Sequence, residues 1–173
     1  MAKHTLTNSI LLLALVLIGC SKSEIQREQL KQLALNSSAE IIAHHLCDFD
    51  EAVSYDGHGS IRVDATDSTI IPIGNVTGLN VENAVLIYQA HVKSENLRGR
   101  AYLEMWCQFN DKGEFFSRDL STPLTGSMDW STEETPFFLK RGQRPDAVRL
   151  DLVVTGPGTV WIDDVSLLRM PLR

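Results

Sequence analysis

Ala101-Tyr102-Leu103-Glu104-Met105-Trp106-Cys107-Gln108-Phe109 alternates without a break. Leu103, Met105, Cys107 and Phe109 share one side, and Tyr102, Glu104, Trp106 and Gln108 share the other. A helix would repeat its apolar positions every three or four residues, so a period of two predicts a strand with one face against a core.

The same period extends on both sides. Ala84 to Lys93 places Leu86, Tyr88, Ala90 and Val92 inward and Gln89, His91 and Lys93 outward; Ser60 to Ala65 and Ala147 to Val154 alternate likewise. Thr69 to Val76 contains Pro72, which has no ladder N–H and predicts an edge or bulged strand. Asp111-Lys112-Gly113 turns the chain into Glu114 to Arg118, a Thr/Pro/Gly/Ser loop runs on to Trp130, and Glu133 to Lys140 is the next strand. Gly156-Pro157-Gly158 leads into the last strand, Thr159 to Leu168. There Val160 and Ile162 share a parity that Val165 and Leu167 do not, so the register slips at Asp163-Asp164, as a β-bulge would cause. About eight strands without amphipathic helices between them predict an all-β, antiparallel β-sandwich or barrel.

The 173 residues suit one domain with a leader. Hydrophobic residues at 43% and charged residues at 22% are globular proportions. A formal charge of -6 disfavours a nucleic-acid partner, which needs a basic face. Cys47 and Cys107 allow one disulfide and do not require it.

At the amino end, Lys3 precedes the apolar run Ile10 to Ile18, too short to span a membrane and typical of a secretory signal. Leu17-Ile18-Gly19-Cys20 resembles the bacterial lipobox. The resemblance implies cleavage before Cys20, acylation of that cysteine and export to the cell envelope. Ser21-Lys22, with no Asp behind the lipid, resembles lipoproteins sent to the outer membrane in Gram-negative bacteria. Two or three acyl chains anchor stably where one is marginal. The expected organisation is a signal peptide over 1–19, a lipidated polar tether over 20–38 with a short helix at 24–35, and the β-domain over 39–173.

Gly158-Thr159-Val160-Trp161-Ile162-Asp163-Asp164-Val165-Ser166-Leu167 resembles the closing strand of galactose-binding-like jelly rolls, among them carbohydrate-binding modules. Asp56-Gly57-His58-Gly59-Ser60-Ile61-Arg62-Val63 resembles their early strand, and Asp129-Trp130-Ser131 with Pro136-Phe137-Phe138-Leu139 their central segment. The resemblance spans residues 47–168 in order. It implies a jelly-roll β-sandwich and a structural Ca²⁺ between the closing and first strands, with Asp164 near Asp48 or Asp50. Hard oxygen ligands suit that ion.

Signatures of an independent enzyme are missing: there is no Gly-x-Ser-x-Gly elbow, His-Glu-x-x-His or phosphate loop. His44 and His45, as strand neighbours, would point to opposite faces and not share a metal. Glu104 with Asp151 or Asp163 offers a glycosidase-like pair only if brought close, and solvated strand-face acids are the plainer reading. The expected function is therefore a non-catalytic, lipid-anchored binding module, for carbohydrate. Its expected site joins Tyr102, Glu104, Trp106 and Gln108 to Gln89 and His91, if the two strands are hairpin neighbours across Glu95 to Gly99. The alternative is an envelope lipoprotein that docks a protein partner without any sugar.

Overall fold

The computed structural model describes residues 26–172. Its strands are β1 (Glu28–Leu33), β2 (Asp48–Asp50), β3 (Ser60–Ala65), β4 (Ser68–Thr77), β5 (Ala84–Phe109), β6 (Gly113–Arg118), β7 (Leu124–Leu139), β8 (Ala147–Thr155) and β9 (Gly158–Pro171). One 3-10 turn, Ser38–Glu40, is the helical element among them. All pairings are antiparallel, and one curled sheet folds into two facing layers, the β-sandwich that the alternation predicts. In the first layer β9 carries β3 and β1 on one side and the first half of β5 on the other, with β7 beyond. In the second layer β4, β8, the second half of β5 and β6 follow in order.

β5 belongs to both layers, which corrects one expectation. Residues 84–93 and 101–109 are not hairpin neighbours but two halves of one strand that bends where Asn96 has φ 53°. The two partner sides of each half are occupied by other strands, so the halves cannot pair. The bend is packed by the β8–β9 turn, with Arg98 N–H donating to Pro157 O at 2.8 Å. A Cβ on Gly99 would lie 2.8 Å from Gly156 N, which fixes glycine at this crossing.

The inward residues of each half were legible from period two. Leu86, Tyr88, Ala90 and Val92 meet Leu103, Met105 and Cys107 and the β8 row Val148, Leu150, Leu152 and Val154, all buried. Each large side chain fully buried there contributes about 1.5–3 kcal/mol.

The tether expectation also changes. Residues 28–33 form no helix: β1 pairs with the C-terminal half of β9, and Leu30 and Leu33 pack on the core. Leu35, Ile41 and Ala43 are buried as well. Good helix propensity is a weak prior, and an unfilled place beside β9 overrides it. β7 likewise starts at Leu124, where a loop was expected. Pro72 lies in edge strand β4, with a register shift between Pro72 and Gly74. Cys47 and Cys107 are free thiols, so the optional disulfide is not formed. Cys20 and the signal lie outside the described residues.

Candidate functional site

The outer face of the second layer gathers most of the expected site. Pairing sets Glu104 between Asp151 and Arg118, and Trp106 between Arg149 and Phe116. These neighbours came from strands β6 and β8, whose register a single sequence does not reveal. Arg118 lies over the Phe116 ring at 4.3 Å, Phe116 lies 4.9 Å from Trp106, and Arg149 covers Trp106 from 5.3 Å. The result is a strip of two aromatic rings between two guanidinium planes.

Buried carboxylates hold the strip upright. Glu104, 4% exposed, accepts from Trp106 Nε1 at 2.7 Å and faces Arg118 Nε at 3.1 Å. Asp151, 1% exposed, accepts from Arg149 Nε at 2.9 Å, and its Oδ1 has no partner among the described residues. Burial raises the Asp151 pKa, against the lowering effect of Arg149 and with a further rise from Glu104. The expectation of solvated strand-face acids is thereby corrected: Glu104 is engaged by Arg118 from the next strand and by the Trp106 indole, and Asp151 by Arg149 two residues before it on β8. Tyr102 is buried too, while Trp106 is half-buried and Gln108 is exposed. Trp106, Gln108, Glu114, Arg149, Asn75 and Ile42 are among the residues that border a cleft of about 190 Å³.

Gln89 and His91 lie elsewhere, on the outer face of the first layer. Gln89 donates to Glu134, which Arg27 also binds. His91 carries the Tyr55 ring flat upon it, centroids 3.5 Å apart and planes 10° apart, with Trp130 edge-on to Tyr55 at 6.0 Å. The six expected residues therefore form two groups on opposite faces.

The bulge in β9 is present: Gln89 pairs with Ser166 and His91 with Asp163, one residue extra on β9, and Asp164 has φ 46°. Asp163 is fully buried and accepts from the N–H groups of Tyr55 at 2.8 Å and Asp164 at 2.8 Å. Asp164 accepts from Gln32 Nε2 at 2.8 Å and lies 3.6 Å from His91 Nδ1.

The calcium set does not assemble. Asp50 accepts from Trp161 Nε1 at 2.9 Å and from the N–H groups of Ala52 and Val53, and the indole bond holds its carboxyl below the usual carboxylate range. Asp164 is turned to Gln32 and His91, and Asp48 pairs with Arg62 in the ladder. Among the described residues no group of three or more His, Cys, Asp or Glu side chains converges, His44 and His45 included. These residues do not fit a Ca²⁺ ion.

A separate apolar groove of about 370 Å³ opens between β6 and β7, lined by Phe109, Phe115, Phe116, Pro136, Phe137 and Phe138. Phe115, Phe116 and Phe138 are about half exposed or more. The outward phenylalanines follow no apolar alternation, so nothing in the period-two pattern marks the groove.

No family model matches the chain, and no curated protein matches it. Solved structures do. A family 16 carbohydrate-binding module is 11% identical over 70% of this chain and 84% of its own, with a TM-score of 0.52. The CBM22-1 xylan-binding domain of Paenibacillus barcinonensis Xyn10C is 9% identical over 73% of this chain and 82% of its own, at 0.51. A family 30 carbohydrate-binding module is 15% identical over 70% and 82%, at 0.50. The similarity is one of fold.

Proposed function

We propose that this chain is a non-catalytic carbohydrate-binding module, carried on the bacterial cell envelope by a lipidated Cys20. The observation behind the sugar reading is the Arg118–Phe116–Trp106–Arg149 strip beside a small cleft of mixed polar and apolar lining. Aromatic edges and faces suit the apolar C–H side of a pyranose, and guanidinium, amide and carboxylate groups suit its hydroxyls. The solved structures of the same fold include a xylan-binding domain, which supports a polysaccharide partner. Glu104 and Asp151 are buried and bound to arginines, out of reach of a glycosidic oxygen, and that supports a binding role over hydrolysis.

Binding at so shallow a site is weak, because little area is buried and a flexible glycan must be ordered. With a neutral ligand it varies little with salt. Affinity electrophoresis of the soluble domain through gels of xylan, β-glucan, mannan and soluble cellulose derivatives tests the reading. Retention that falls with Trp106→Ala and persists with Trp106→Phe supports it; no retention on any gel overturns it. Anchoring is tested separately, since Cys20→Ser should release the protein from membranes or leave it unprocessed.

Protein docking remains the second reading, and the phenylalanine groove favours it. Exposed aromatic patches of this kind mark interaction surfaces. Cross-linking in intact envelopes that captures one partner, and fails with Phe138→Ser, would favour this reading over the first.

A further inference from the structure

We propose that the solvent face of Tyr55 is a second carbohydrate subsite, on the opposite side of the sandwich from the Trp106 strip. This inference rests on the glycan-binding reading above. Tyr55 is 49% exposed. His91 occupies the underside of its ring at 3.5 Å, and Trp130 stands edge-on beside it at 68°. With His91 stacked on one face and about half of the residue open to solvent, Tyr55 offers a ring of the size a single pyranose needs for stacking.

The fold fixes this ring more firmly than a surface tyrosine requires. Asp163, buried in the sheet, accepts from Tyr55 N–H at 2.8 Å and Asp56 N–H at 3.4 Å. Ser54 Oγ accepts from Gly57 N–H at 2.7 Å and His58 N–H at 3.0 Å. Ser60 Oγ donates to Val53 O at 2.6 Å. The segment 53–58 that carries Tyr55 is thus tied to the sheet and to itself. The platform is packed rather than bonded: the His91 side chain is 13% exposed beneath the ring, and its Nδ1 lies 3.6 Å from Asp164 Oδ2, beyond hydrogen-bond reach, while Asp164 is held by Gln32.

Asp163 and Asp164 are consecutive, and in a regular strand consecutive side chains leave opposite faces. The bulge, with Asp164 at φ 46°, lets both serve the same outer face. A non-glycine residue in that conformation is strained. The strain and the buried carboxylate converge on one outcome, a preordered Tyr55 ring. Ordering the ring before contact removes part of the entropic cost of binding.

The chemistry of the surroundings selects the ligand class. Lys93, on the same face as His91, is already paired with Asp129 at 2.8 Å, which leaves its charge engaged rather than offered to an anionic ligand. One ring and one ring edge fall far short of the roughly 1,200 Å² that a stable protein interface buries. A neutral sugar ring, stacked on Tyr55 with hydroxyls toward exposed Asp56 and His58, matches the size and polarity. With sites on opposite faces, one molecule would bridge two glycan chains.

The test is a titration of the ¹⁵N-labelled soluble domain with xylohexaose, cellohexaose and mannohexaose, followed by backbone amide shifts. The expected result is two separate shifting patches, one at 54–58 and one at 104–108. Tyr55→Ala should remove the first and leave the second, and Tyr55→Phe should keep both; the same spectra show whether each variant is folded. A patch at 104–108 alone overturns this inference and leaves the glycan-binding reading standing. No shifts with any oligosaccharide overturn both.

Discussion

Glu104 and Asp151 face each other across β5 and β8, two buried carboxylates at directly opposed positions. Each has its own arginine, yet Asp151 keeps an oxygen without a partner and a raised pKa, with burial the main cause. The folded state therefore binds the Asp151 proton more tightly than the unfolded chain does. The associated stability is complete below the unfolded aspartate value of about 3.9 and is lost as pH rises through the higher folded value. Asp151→Asn should flatten the fall of melting temperature across that window. A fall identical in the variant would show that Asp151 does not carry it.

Asp163 is raised in the same direction, again chiefly by burial, but its oxygens are occupied by backbone donors. Asp163→Ala would orphan those N–H groups. Each buried donor left unsatisfied costs about 1–3 kcal/mol, so the urea midpoint should fall clearly, and Asp163→Asn should fall less because an amide oxygen still accepts. Hydrogen exchange at Tyr55 and Asp56 should accelerate in the alanine variant before the sheet amides do.

Burial pushes the Cys47 thiol up to about 11 and the Cys107 thiol up to about 12. The thiolate is the reactive form, and it is scarce at pH 8 for both. A maleimide or disulfide reagent should label neither residue in the folded domain and both in urea. Rapid native labelling of Cys47 would place it at a more open surface.

Much of this architecture was legible in period-two alternation. The inward rows of β5, β8 and β9 and the bulge at Asp163-Asp164 follow from parity within one strand, and the Pro72 irregularity from proline's missing ladder N–H. What parity cannot give is which strand lies beside which. That is why Gln89 and His91 were joined to Tyr102, Glu104, Trp106 and Gln108: the bend at Asn96 and Gly99 resembles a hairpin loop when read locally. The same gap hid Phe116, Arg118 and Arg149, each brought to the site by cross-strand register. It also made Glu104 and Asp151 look solvated, because outward on a strand means exposed only when the neighbouring strands carry nothing that covers. β1 was missed for a different reason, since its helix-forming residues were recruited to an empty edge by β9.

Arg149 joins the two halves of the binding face: its plane covers Trp106 at 5.3 Å while its Nε binds Asp151 at 2.9 Å. Arg149→Met should keep much of the stem packing against the indole and lose both the donor and the charge. Two separable outcomes follow. Without Arg149 the folded Asp151 pKa should rise further, so the pH-dependent loss of stability should extend to higher pH, and Asp151→Asn in the same background should abolish that extension. Glycan retention should weaken several-fold at every pH, because a guanidinium no longer reaches the sugar hydroxyls. If Arg149→Met shifts the pH profile but binds glycan as the wild type does, Arg149 serves only to neutralise Asp151, and the sugar contacts must come from Trp106, Phe116 and Arg118.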